Sequence, residues 1–338
     1  MLHRAKRGPA VAPRGAVPVP AASRPGVVAQ SQGHHAGRGR RRQQSGRPGA
    51  IWSVPAIAFF AFFALLPLAF AVGLSFTEYN GIRLTSPEFV GLENWTRMLE
   101  DAQLHRAIGV TVLLIVLALV TQVPVSLLIG VWAAGPQRIR AVVAAVYFIP
   151  LLMSTAAVAV LWASLADPNF GLPAALAPVI GTDTFFSNLL GEPASALGVV
   201  VFIYLWGASP LHTLLYQGGA RAIPEVLYQA AALDGAGRVR QFFHITLPQL
   251  KNTFITSTIL MIVGTFTTFD LILILTRGGP SGATSNLPYF MYDRGVTALD
   301  FGYGSAIAVV LIILASLVSW AMVRVSRYDK MEGTQEGI

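Results

Sequence analysis

The chain has 338 residues, 54% hydrophobic and only 12% charged, with a mean hydropathy of +0.59, which excludes an ordinary water-soluble domain. Its net charge is +8 and its pI about 10.1, and the lack of cysteine excludes disulfides and thiol chemistry. In chain order, residues 1–50 contain no acid, are rich in Pro, Gly, Ala and Ser, and carry the run Arg38-Gly39-Arg40-Arg41-Arg42. Such a segment cannot bury enough apolar surface to fold, so it predicts a disordered basic cytoplasmic tail. The positive charge therefore has its source in a tail, and no nucleic-acid partner is expected. His34 and His35 lack the further ligands that a metal requires, so no metal or cofactor is expected either.

Six apolar blocks follow: Trp52 to Phe76, Ala107 to Ala134, Ala141 to Ala166, Ala194 to Ala220, Thr253 to Thr276 and Gly302 to Val323. Each reaches the roughly 20 residues that a helix needs to cross a hydrocarbon core about 30 Å thick. The first is too long, and begins too late, to be a cleaved signal core. Six crossings place both termini on one side. That side carries nineteen Lys and Arg, including Arg138, Arg140, Arg221, Arg238, Arg240 and Lys251, against five on the other. Positive residues accumulate on the cytoplasmic side, so both termini are expected there. The expectation is an all-α integral membrane protein of about six transmembrane helices in the plasma membrane. Its parts are a tail at 1–50, a membrane domain at 51–328 and a short cytoplasmic tail at 329–338.

Between the fourth and fifth blocks lies a polar insert, residues 221–251, the one cytoplasmic connection long enough to hold a docking element. Pro224 suits a first helical turn and Glu225 complements the positive end of a helix. Val226, Ala230 and Leu233 then fall on one face, Gly235 supplies a break after Asp234, and a second helix is predicted from about Arg238 to Leu247, ended by Pro248.

The insert resembles the coupling motif of binding-protein-dependent ABC importer permeases. That motif has a Pro, then Glu-Ala-Ala, a Gly three residues later, and an Ile-x-Leu-Pro further on. It is matched at Pro224, Ala230, Ala231, Asp234, Gly235, Ala236, Phe242, Ile245, Leu247 and Pro248. Its opening glutamate is Gln229 here, an amide that can hydrogen-bond but adds no Coulomb attraction. Three further stretches resemble the carbohydrate branch of the family: Ser75 to Asn80 followed by Phe89 to Trp95, Asp167 to Gly171, and Phe269-Asp270-Leu271 leading into Thr276 to Thr284.

The resemblance implies a type I importer permease fold without a catalytic site of its own. It implies a second permease, forming a heterodimer, cytoplasmic ATP-binding subunits and an extracytoplasmic substrate-binding protein, alongside the lipid bilayer that the composition already requires. It also implies that Glu225, Tyr228, Gln229, Ala230, Ala231, Asp234, Gly235, Ala236 and Pro248 meet the ATPase, with a sugar or polyol as cargo. Polar groups inside the spans are the pathway candidates: Asp270, Thr267, Thr268 and Gln122. Asp270, the sole acid within a block, either lines the pathway or bonds a neighbouring helix, whereas Gln122 and His212 suit helix-to-helix hydrogen bonds. A secondary transporter or channel is the alternative, and it would need neither the insert nor an ATPase.

Overall fold

The computed structural model describes residues 50–81, 87–135, 138–180 and 188–326. Apart from Ala50, the expected N-terminal tail lies outside them, as does the expected tail at 329–338. Of the unit Met1–Val54, a 3-10 turn at Ala50–Ser53 and Val54 are described; apart from Val54, at the start of α1, the elements below belong to the unit Pro55–Ile338.

In chain order, α1 (Val54–Leu74) leads to an antiparallel ribbon of β1 (Thr77–Glu78) and β2 (Glu88–Phe89), then to α2 (Glu93–Glu100) and α3 (Ala102–Ala133). Next, α4 (Arg138–Tyr147) and α5 (Thr155–Leu165) flank a 3-10 turn at Ile149–Leu152, and α6 (Leu172–Ile180) precedes the long α7 (Pro193–Arg221). The insert holds α8 (Glu225–Leu233) and α9 (Arg238–Gln241). Last come α10 (Lys251–Phe266), α11 (Asp270–Leu275), α12 (Leu287–Tyr292) and α13 (Phe301–Ser326).

Among the described residues, four helices are long and apolar enough to cross a membrane: α1, α3, α7 and the Phe301–Arg324 part of α13. The third and fifth apolar blocks are each broken instead. In the third, Phe148 to Ser154 leaves the helix, with Met153 extended and the Ser154 hydroxyl accepting from the Ala157 N–H to start α5. In the fifth, the hydroxyls of Thr265, Thr267 and Thr268 bond back to the carbonyls of Met261 and Gly264, competing with the backbone ladder just where α10 ends. The Thr268 carbonyl freed there accepts from the buried Asn286 side chain, as a dry setting requires.

Direction follows from the side-chain pairs. Ser126 donates to the Ser209 carbonyl and Gln217 to the Ala133 carbonyl, so α3 and α7 run parallel. Between them the α4–α5 segment runs antiparallel to α7, with Tyr147 bonded to Ser209 and Trp162 edge-on to Phe202. The α10–α11 segment is antiparallel to α7 as well, since His212 meets Ser257 and Tyr204 meets Thr265.

At Gly130 the backbones of α3 and α7 come close enough that an added Cβ would lie 2.7 Å from the Tyr216 Cβ. One core joins Leu114, Val158, Ile203 and Ile272, while a second joins Met98, Leu104, Leu287 and Ile307 at the end where α3 and α13 begin. At that end Asp101 caps α3 by accepting from the N–H groups of Gln103 and Leu104. Burial alone would raise its carboxyl, yet the Tyr303 hydroxyl, those N–H groups and nearby Arg294 together hold it below the usual carboxylate range.

Candidate functional site

The insert is built from local signals. Helix α8 begins after Pro224, which stands at the N-cap with Glu225 in the first turn, and it ends in a left-handed turn at Gly235 (φ +76°). The Ala236 N–H bonds the Ala231 carbonyl at 2.8 Å and the Gly235 N–H the Ala232 carbonyl at 3.0 Å, the paired bonds of a Schellman stop.

The expected second helix differs from its sequence reading. Pro248 does not end it: α9 passes through a π turn at Phe242–Thr246, in which the Leu247 N–H reaches back to Phe242, and continues to Gln249. The wide turn moves aside the carbonyl that a proline ring would strike. The same device precedes Pro67 in α1, where Ala61–Leu65 form a π turn. The actual break falls at Leu250, which is fully buried beside Leu127 and Tyr216 and anchors this half of the insert to the bundle.

Helix α8 has no such anchor, since none of its residues is buried. Its apolar stripe is bare, with Val226 63% and Leu233 91% exposed, and Glu225, Gln229, Ala230 and Asp234 are exposed as well. Ala231 and Ala236 are half-buried, and Pro248 is exposed on the far side of the elbow. Two side-chain bonds hold the elbow's angle: Tyr228 to Thr246, hydroxyl to hydroxyl at 2.9 Å, and the Gln241 amide to the Ala236 carbonyl at 2.9 Å. A Cβ on Gly235 would meet nothing within 4 Å, so the left-handed backbone, not packing, demands glycine there. Gly235→Val should therefore cost about 1–2 kcal/mol of local strain and loosen the elbow. Membrane abundance should stay at the wild-type level while uptake per unit of ATP hydrolysed falls; an unaltered ratio would remove the elbow from the coupling route.

The pathway candidates do not converge on one point. Thr267 and Asp270 are exposed at the break between α10 and α11, and Asp270 has no side-chain partner among the described residues. Buried Thr268 and Thr265 and half-buried Tyr204 line a void of about 10 Å³, room for one water and not for a sugar ring. Gln122 is fully buried on α3 with neither amide atom hydrogen-bonded, so it lines no open route. His212 does join two helices, its Nδ1 lying 3.1 Å from the Ser257 hydroxyl. Sequence reasoning missed the rest of this buried polar seam, Ser126 on α3 and Ser209, Thr213 and Gln217 on α7, where polar residues at every fourth position were the available signal.

With this geometry in hand, comparison with known proteins is decisive. The family model described as "Binding-protein-dependent transport system inner membrane component" matches residues 126–327, from mid-α3 to the end of α13. The chain belongs to that family. Among the permease's relatives is the probable ABC transporter permease protein YurN of Bacillus subtilis strain 168, 32% identical over 286 residues, covering 83% of this chain and 97% of the relative. The diacetylchitobiose uptake system permease protein NgcF of Streptomyces coelicolor is 31% identical over 288 residues, covering 80% of each chain. A chain of a bacterial ABC transporter that imports the acidic polysaccharide alginate superposes with a TM-score of 0.70 at 20% identity, over 82% of this chain and 94% of that one, which establishes a shared fold. The permease is thus a multi-pass plasma-membrane subunit of an ATP-driven importer, and ATP hydrolysis resides in a separate subunit.

Proposed function

We propose that this permease imports a carbohydrate or related polyol, and that α8 is the element through which a cytoplasmic ATPase drives it. The observation that carries this reading is the bare apolar stripe of α8, which ends in a Schellman stop before the helix that carries the π turn. A helix with no core of its own costs free energy in water unless another protein covers it. In the proposed topology, the broken α4–α5 and α10–α11 segments complete six crossings. The antiparallel course of each to α7 supports this, and the Lys and Arg distribution supports a cytoplasmic insert and cytoplasmic termini. The membrane domain is assigned to residues 51–328, with the coupling insert at 221–251.

Because the void near Thr268 is too small for cargo, the pathway is assigned to the outer surface of the bundle. Thr267 and Asp270 are exposed there, and a second permease closes the route. Carbohydrate as the cargo class is supported by the relative named for diacetylchitobiose uptake and by the loop motifs from Ser75 to Trp95 and from Phe269 to Thr284.

The test is reconstitution with the cognate partner permease, ATP-binding subunits and binding protein in proteoliposomes. Uptake of labelled oligosaccharide should require all of them and ATP. Cargo movement at the full rate without the ATP-binding subunits would overturn the reading.

A further inference from the structure

At the end of the bundle opposite the insert, a cleft of about 330 Å³ opens between the start of α3, the glycine-rich loop after α11, and α12. Gln103 and Arg106 form one wall, Arg277 and Ser281 another, and Tyr289 and Asp293 the third. We propose that this cleft is a socket for an acidic side chain of the extracytoplasmic binding protein. The proposal rests on the orientation given above, in which this end faces outward.

The socket is formed before any partner arrives. The buried Thr284 hydroxyl donates to the Gly279 carbonyl at 2.8 Å and lies 2.7 Å from the Thr276 hydroxyl, tying the loop's two ends together. Gly278 (φ +76°) packs so closely on Tyr289 that a Cβ would stand 2.6 Å from its ring. A loop pinned in this way loses little conformational freedom on binding.

Its charge is out of keeping with its surroundings. Glu78, Glu88, Glu93 and Glu100 lie at the same end of the bundle, and the other arginines described there are already engaged. Arg97 pairs with Asp300 at 2.7 Å and lies over Tyr303; Arg294 is hydrogen-bonded to Gln103 and lies over Phe290. Arg106 and Arg277 have no carboxylate partner among the described residues. The one side-chain hydrogen bond of Arg106 among the described residues is a long one, 3.4 Å to the Ser281 carbonyl, and Asp293 across the cleft offsets only one of the two charges.

A guanidinium presents a planar fork of donors that matches a carboxylate. Both arginines are exposed, so a free anion in open water would gain little from them. A docked protein surface excludes that water and strengthens the contact. With the glutamates lying elsewhere at this end of the bundle, the cleft is the favourable place for a partner's carboxylate, which fixes the docking orientation.

The experiment uses the complete transporter in proteoliposomes, reading ATPase stimulation against binding-protein concentration for wild type and for the Arg106→Gln, Arg277→Gln double variant. The half-saturating concentration should rise about tenfold, with the maximal rate retained and a weaker dependence on salt than in wild type. In an Arg277→Glu variant, changing one acid on the binding protein to Lys should restore the lost affinity. An unchanged half-saturating concentration overturns the socket, as does a loss confined to the maximal rate, or a defect that tracks only the charge of the cargo. Labelling of Ser281→Cys decides the underlying orientation separately. External labelling combined with unchanged docking sinks the socket alone, whereas labelling only from the cytoplasm sinks the orientation and the socket with it.

Discussion

Leu233→Glu is expected to reduce uptake tenfold or more and to stop the ATP-binding subunit from copurifying, while the permease remains at its normal level in the membrane. Leu233 is 91% exposed at the end of α8, so in this chain the substitution removes no packing. Seated in a hollow of the ATPase, the same side chain would contribute about 1.5–3 kcal/mol by burial. Each 1.4 kcal/mol is roughly a factor of ten in affinity, and a carboxylate left in an apolar hollow adds its own desolvation cost. Melting of the isolated permease should stay within about 0.5 kcal/mol of wild type, as for other surface changes. Copurification and uptake both at wild-type level would show that α8 does not carry the contact.

Gly130 is expected to tolerate nothing larger than alanine, and alanine only at a cost. An added Cβ would stand 2.7 Å from the Tyr216 Cβ, 2.8 Å from the Thr213 carbonyl oxygen and 3.1 Å from the Gln217 N–H nitrogen. Two of these three are backbone atoms of a 29-residue helix, so relief requires separating whole helices and not rotating one side chain. Gly130→Ala should destabilise the protein by about 1–3 kcal/mol, the usual range for overpacking. Part of that cost would be strain on the adjacent bonds from Gln217 to Ala133 and from Ser126 to Ser209. Gly130→Leu should leave little folded protein in the membrane. Thermal melting in detergent checks the first and quantitative immunoblotting of membranes the second; a wild-type melting temperature for the alanine variant would mean that the two helices separate freely.

What could be read from sequence was what is decided within a few residues. Glu225 at a helix start, Gly235 at a left-handed stop and the apolar stripe between them are local choices, and α8 lies between the boundaries they imply. The four uninterrupted helices were legible for the same reason, because length and apolar content suffice. Breaks inside the third and fifth blocks were not. Thr265, Thr267 and Thr268 fit an unbroken membrane helix as well as a broken one, and what tips the balance is Asn286, 18 residues from Thr268, meeting its freed carbonyl. Pro248 misled in the opposite direction, because a proline signals an obstacle without saying whether a π turn will absorb it. Gln122 and Asp270 show the limit for the pathway. Both are polar residues in apolar blocks, yet one is sealed inside the bundle and the other faces outward, a difference that only tertiary packing determines.

The naked face of α8 also bears on how the cell must manufacture this transporter. With α8 as the proposed ATPase contact, a permease subunit synthesised faster than its ATPase would leave Val226 and Leu233 uncovered, and Phe243 in the π turn that follows is exposed too. Greasy surface of that kind is what chaperones and proteases use to identify orphaned subunits. Balanced production of the two proteins is therefore expected, and a cell deprived of the ATPase should clear this chain more quickly than one that contains it.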